Sequence, residues 1–138
     1  MAATVFVDTS YFVALLDPRD DAYHAAVELA KKLAARRAHL LTTDGVLMEL
    51  ANYFSRGPLR RHAIDLVAAT RADEGWTVVP IDRPSLLRAE ARYRAHADKS
   101  WSVTDCMSMD VMSTRRVREI ATLDSGFTQA GFRVLLRT

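Results

Sequence analysis

The chain has 138 residues, a length that suits one domain with a core needing no covalent staples, and its composition, 49% apolar and 26% charged, excludes a disordered chain. A single cysteine, Cys106, excludes an intrachain disulfide, and the longest strongly apolar run, Tyr11 to Leu16, is too short to span a bilayer. The formal charge of +2 does not mark a nucleic-acid binder, although a pI near 8.9 permits a polyanionic partner.

The opening MAATVFVDTS has no basic region followed by an apolar stretch and a cleavage site, so a cytoplasmic protein without an export signal or membrane segment is expected. Thr4 to Val7 is apolar and β-branched and reads as a buried strand ending in Asp8. A short helix from about Ser10 to Leu16 follows, stopped by Asp17-Pro18. Ala22 to Arg37 spaces Tyr23, Ala26, Val27, Ala30 and Leu33 at helical intervals, with Asp20 or Asp21 as cap and basic residues at the far end.

His39 to Thr43 is a second strand, and Asp44 to Ser55 a helix with Val46, Leu47, Leu50, Ala51 and Phe54 on one face. Gly57-Pro58 breaks it. Leu59 to Ala72 reads as a helix with Ile64, Val67 and Ala68 inward, Trp76 to Ile81 as a strand, and Pro84 to about His96 as a helix with proline in its first turn. Ser102 to Met112 is helical, Arg118 to Leu123 a strand, Ser125 to Ala130 a helical turn and Phe132 to Leu136 a last strand. This alternation predicts a three-layer α/β fold around a mainly parallel sheet with right-handed crossovers, in one domain over residues 1–138. No glycine-rich phosphate loop and no repeat interrupts it.

Open α/β sheets bind ligands beyond the carboxyl ends of their strands, where strand order reverses. Asp8 ends the first strand and Asp124 follows Ile120 to Leu123, so both belong to that rim. Each also suits a helix N-cap. Asp105 stands three residues after Ser102, as in a capping box, and Glu49 lies in the second turn of its helix between Val46 and Tyr53. Asp8, Glu49, Asp105 and Asp124 would converge on one cleft, where two like charges about 4 Å apart repel by roughly 4 kcal/mol at an effective dielectric of 20.

A divalent cation would make such a cluster tolerable. Hard oxygen ligands, without HxxxH or CxxC spacing, favour Mg²⁺ or Mn²⁺ over zinc. That chemistry suits phosphodiester hydrolysis, with the acids as ligands, one of them taking a water proton, and Ser10 orienting Asp8 or a metal-bound water.

At these residues the chain resembles the PIN-domain family, and within it the VapC-type toxin ribonucleases. VFVDTSYFVALLD, TTDGVLMELANYF, SVTDCMSMDVM and IATLDSGFTQAGF are similar, in order and spacing, to the family's four acidic segments. The resemblance implies a PIN-like, Rossmann-like α/β/α fold with five strands in the order 3-2-1-4-5, and carries the acidic quartet onto Asp8, Glu49, Asp105 and Asp124, with Ser10 as a supporting hydroxyl. It also implies an RNA substrate, single-stranded or in a loop, a small antitoxin partner and a homodimer.

Other conspicuous residues have ordinary explanations. Asp110 departs from the family pattern and reads as surface or interface, and Asp44 as the cap of the Glu49 helix. Cys106 and Met109 belong to a buried face, and the four histidines lack partners at motif spacing. Trp76 and Trp101 read as packing residues, with base stacking as the alternative. Arg56, Arg60 and Arg61 are the first candidates for contacts to RNA phosphates.

Two rivals stand beside this reading. A haloacid-dehalogenase-type phosphatase also uses an aspartate after its first strand, but wants a second where this chain has Ser10. The alternative is a PIN-like fold serving as a non-catalytic RNA-binding or regulatory module, against which the retention of all four mutually repelling acids argues.

Overall fold

A computed structural model describes residues 3–136. Five strands, β1 (Thr4–Val7), β2 (His39–Thr43), β3 (Trp76–Val79), β4 (Glu119–Ala121) and β5 (Arg133–Val134), form one sheet in the order β3-β2-β1-β4-β5. Every neighbouring pair is parallel. The helices are α1 (Thr9–Leu16), α2 (Tyr23–Ala35), α3 (Asp44–Tyr53), α4 (Arg60–Ala72), α5 (Arg83–Ala95), α6 (Val103–Arg115) and α7 (Gly126–Gln129). This is the α/β/α architecture with the 3-2-1-4-5 order that the sequence resemblance implied.

Strand β1 is central, and Val5, Phe6 and Val7 are fully buried because parallel sheets are covered on both faces. From β1 the chain builds outward to β2 and β3 on one side, then returns to lay β4 and β5 on the other. The strand order therefore reverses between β1 and β4, and the backbone N–H of Asp8 donates to the Ala121 carbonyl there at 3.1 Å.

Some local expectations need correction. Helix α3 is capped by Thr43, whose hydroxyl accepts from Val46 N at 3.2 Å, while Asp44 lies inside the helix and pairs with Arg71 at 2.7 Å. In α4 the buried residues are Ala63, Val67 and Thr70, with Ile64 and Ala68 turned outward. Helix α2 begins after Ala22, without a side-chain cap, and Asp20 instead fixes the preceding turn by accepting from Ala22 N at 2.8 Å. Asp110 keeps its expected place at the surface, half-buried where α5 meets α6, with its carboxylate 3.0 Å from Arg88 Nε. Strands β1 and β2 have the expected bounds, while β3, β4 and β5 are shorter than their β-forming residues suggested.

Trp76 stacks on Phe12 with ring centroids 5.5 Å apart, and Trp101 is only 6% exposed, so both pack rather than present a free stacking face. Cys106 is buried, and burial raises its thiol pKa, which leaves it an inert apolar filler. No described helix is long and apolar enough to cross a membrane.

Candidate active site

Asp8 occupies the N-cap position of α1 but makes no side-chain capping hydrogen bond. It is 5% exposed, and its carboxyl is pushed up to about 7, first by burial and further by the charges of Asp105 and Glu49. The Thr122 hydroxyl and the Thr9 backbone N–H offset part of that rise. Capping therefore does not explain this aspartate, and its burial carries an electrostatic cost.

The Thr122 hydroxyl donates to Asp8 Oδ2 at 2.7 Å and accepts from Asp124 N at 3.0 Å. A hydroxyl has one donor and two acceptor positions. The remaining contact, Ser10 Oγ to Thr122 Oγ1 at 3.1 Å, must then have Ser10 as donor, while Ser10 accepts from Leu123 N at 2.8 Å. Ser10 thus reaches Asp8 through Thr122, and the start of α1 is tied to the end of β4.

Thr9 Oγ1 donates to Glu49 Oε1 at 2.7 Å, drawing α3 toward the same rim. Asp105 completes a capping box, accepting from Ser102 N at 2.9 Å through Oδ2 while Ser102 Oγ accepts from Asp105 N at 3.0 Å. Its pKa is nevertheless raised, by burial first and by Asp124 and Glu49 as well. Asp124 Oδ1 accepts from Gly126 N at 2.8 Å.

Asp8 feels Asp105 and Glu49, and Asp105 feels Glu49 and Asp124, so these four acids share one field of mutual repulsion. Among the described residues none of the four has an ion-pair partner, whereas Asp44 and Asp110 pair with Arg71 and Arg88. Their side chains are not drawn into a finished cage: among the described residues no group of three or more His, Cys, Asp or Glu is gathered tightly enough to hold an ion. Glu49, Asp105 and Asp124 each commit one oxygen to a local hydrogen bond and keep the other.

Sequence reasoning passed over Thr9 and Thr122. The signal for Thr122 was a hydroxyl directly after the apolar pair Ile120-Ala121 and two positions before Asp124. Of the candidate arginines, Arg60 donates to the Ser55 carbonyl at 2.7 Å and Arg61 lies 3.4 Å from Asp65, both exposed. Arg56 is exposed without an ion-pair partner among the described residues.

A parallel α/β sheet with acids collected at its switch point defines the class. The PIN domain pattern matches residues 5–133, and the chain belongs to the PIN domain family. Its fold matches the crystal structure of VapC20 from Mycobacterium tuberculosis, a sarcin-ricin loop cleaving toxin, with a TM-score of 0.83 and 25% identity over 96% of this chain and 99% of that one. FitAcB from Neisseria gonorrhoeae aligns with a TM-score of 0.64 and 16% identity over 95% and 96% of the two chains. VapBC2 from Rickettsia felis, bound to a promoter DNA fragment, aligns at 0.65 with 13% identity over 96% of each. No curated protein matches the chain.

Proposed function

We propose that this chain is an endoribonuclease dependent on Mg²⁺ or Mn²⁺, with Asp8, Glu49, Asp105 and Asp124 as metal-binding and catalytic acids and Ser10 in support. It works as one PIN-like domain across residues 1–138, as the VapC-like toxin of a cytoplasmic toxin–antitoxin pair. The observation that carries this reading is the contrast in charge pairing. Asp44 and Asp110 each meet an arginine, whereas the four acids at the switch point are left with one another's charge.

The donor set fits a hard divalent ion, because all its atoms are oxygens and Mg²⁺ takes one or two carboxylates, completing its shell with water and phosphate oxygens. A set of separated carboxylates, each with a spare oxygen, meets that need without a closed protein cage. Such an ion supplies Lewis acidity that activates water and offsets charge on the phosphate. Asp8, bonded by Thr122 at one oxygen, holds its proton loosely near neutrality. One of the four carboxylates would take the water proton. Glu49, Asp105 and Asp124 keep the phosphodiester's surroundings anionic until an ion binds.

RNA is the favoured substrate because the similar M. tuberculosis toxin VapC20 cleaves the sarcin-ricin loop. The VapBC assembly among the fold matches supports an antitoxin partner, and the family resemblance alone is the ground for a homodimer. A non-catalytic module has no use for a buried, uncompensated Asp8.

Cleavage of a mixed RNA pool tests the reading. Added Mn²⁺ should support cleavage, chelator should abolish it, and Asp8→Asn or Asp105→Asn should lower the rate at least about 100-fold while the fold survives. Chelator-resistant cleavage, or full activity in Asp8→Asn, would reject it.

A further inference from the structure

Arg88 pairs with Asp110, and Cys106 feels the charge of Arg92, so α5 and α6 run antiparallel and the end of α5 lies against the start of α6. Between them is a cleft of about 590 Å³, lined by Glu90, Tyr93, Arg94, His96, Lys99 and Val103. Nothing in the acidic site uses it. Its chemistry is the reverse of that site: two cations and a histidine face a single acid, and Arg94 has no ion-pair partner among the described residues. Lys99 meets only its sequence neighbour Asp98, at 3.5 Å. Tyr93 is 51% exposed and keeps an aromatic surface open to the cleft.

The cleft is joined to the acids through Trp101. Its ring lies 4.9 Å from that of His96, which lines the cleft, and its Cδ1 would stand 2.9 Å from a Cβ added at Gly126, two residues after Asp124. Trp101 Nε1 and Asp124 Oδ1 both stand 3.1 Å from the place a Gly126 Cβ would take. The indole N–H is buried and has no hydrogen-bond partner. A rigid side chain thus separates the two compartments, and Val103, two residues before Asp105, forms part of the wall.

We propose that this cleft is a nucleotide subsite for single-stranded RNA, in which Tyr93 stacks on a base while Arg94 and Lys99 hold flanking phosphates, beside the acidic cleavage site. The size suits a nucleotide, the cations suit its phosphates, and an exposed ring gives sequence-tolerant stacking. Electrostatics divides the labour: the acids repel RNA until an ion binds, and the cationic cleft supplies affinity that does not wait for the ion. This proposal rests on the ribonuclease reading for its choice of RNA over other polyanions.

Binding and cleavage are measured separately, so that the two readings can fail separately. Anisotropy of a fluorescein-labelled single-stranded RNA is followed in Asp8→Asn protein, which keeps the cleft intact. Adding Arg94→Ala and Lys99→Ala should weaken binding at least about tenfold and reduce the salt slope by about 1.4, that is about 0.7 for each phosphate no longer neutralised. Tyr93→Ala should weaken binding about 5- to 150-fold, and Tyr93→Trp should restore it. Unchanged affinity and slope in the arginine–lysine variant would overturn the subsite even if wild type cleaves RNA. Groove-dependent binding would support it even if no cleavage is found. Loss of polyglutamate binding with RNA binding intact would overturn it in favour of an acidic protein partner.

Discussion

Gly126 has no freedom to grow. A Cβ there would meet Trp101 Cδ1 at 2.9 Å and Asp124 Oδ1 at 3.1 Å, so either the indole or the carboxylate must move. Trp101 is a large side chain packed in the core, and Asp124 Oδ1 is held by the Gly126 N–H itself. Gly126→Ala is therefore expected to cost about 1–3 kcal/mol, the range for overpacking a filled site. Because Asp124 is the softer neighbour, RNA cleavage should fall further than stability alone explains. Urea unfolding gives the first quantity, and kcat/KM under conditions where the variant is fully folded gives the second.

At the scale of elements, the site is built from helix starts. Asp105 is presented by α6, and the Ser102 capping box both starts that helix and holds one Asp105 oxygen. Ser102→Ala removes the hydroxyl that accepts from Asp105 N. The expected loss is about 1 kcal/mol of stability, read from the urea midpoint, together with a several-fold lower cleavage rate as Asp105 loosens. A variant that loses stability but cleaves RNA as wild type would show that the box serves the helix alone.

The same elements show what a sequence can and cannot disclose. The alternation of strands and helices was legible because buried parallel strands must be apolar and their crossover helices must be amphipathic. Helix α4 misled in part: Val67 is buried as expected, but Thr70 is buried too, where its hydroxyl donates to the Leu66 carbonyl at 2.8 Å, while the larger Ile64 is exposed. Periodicity ranks hydrophobicity and cannot see a satisfied hydroxyl. The cap of α3 was misplaced by one residue for a related reason, since Thr43 and Asp44 are both good N-caps and only the Arg71 and Ile81 contacts of Asp44 decide between them. The acids themselves were legible as strand-end and helix-start residues. The Ser10–Thr122–Asp8 connection was not, because it joins residues more than a hundred positions apart.

For the whole molecule, the acidic site makes stability depend on pH in an unusual direction. Asp8 keeps its proton in the folded state up to about 7, whereas its ordinary value is 3.8. Between those values the native state binds more protons than the unfolded chain, so stability falls as pH rises, by at most about 1.4 kcal/mol per unit, and levels off above about 7. Asp105, raised as well, adds in the same direction. Asp8→Asn removes the larger contribution while leaving an oxygen for Thr122 to bond. The variant should be more stable than wild type at pH 8, and the gap should close near pH 4, as read by urea unfolding without divalent ions. Adding Mn²⁺ at pH 8 should return stability to wild type, by about 2.7 kcal/mol at a concentration 100-fold above Kd, and much less to Asp8→Asn. At pH 5 the ion should do little, since it must displace the Asp8 proton before it can bind. A wild type that gains stability between pH 5 and 8 without metal would mean that Asp8 is not held at its charge's expense, and the need for a cation at this rim would disappear with it.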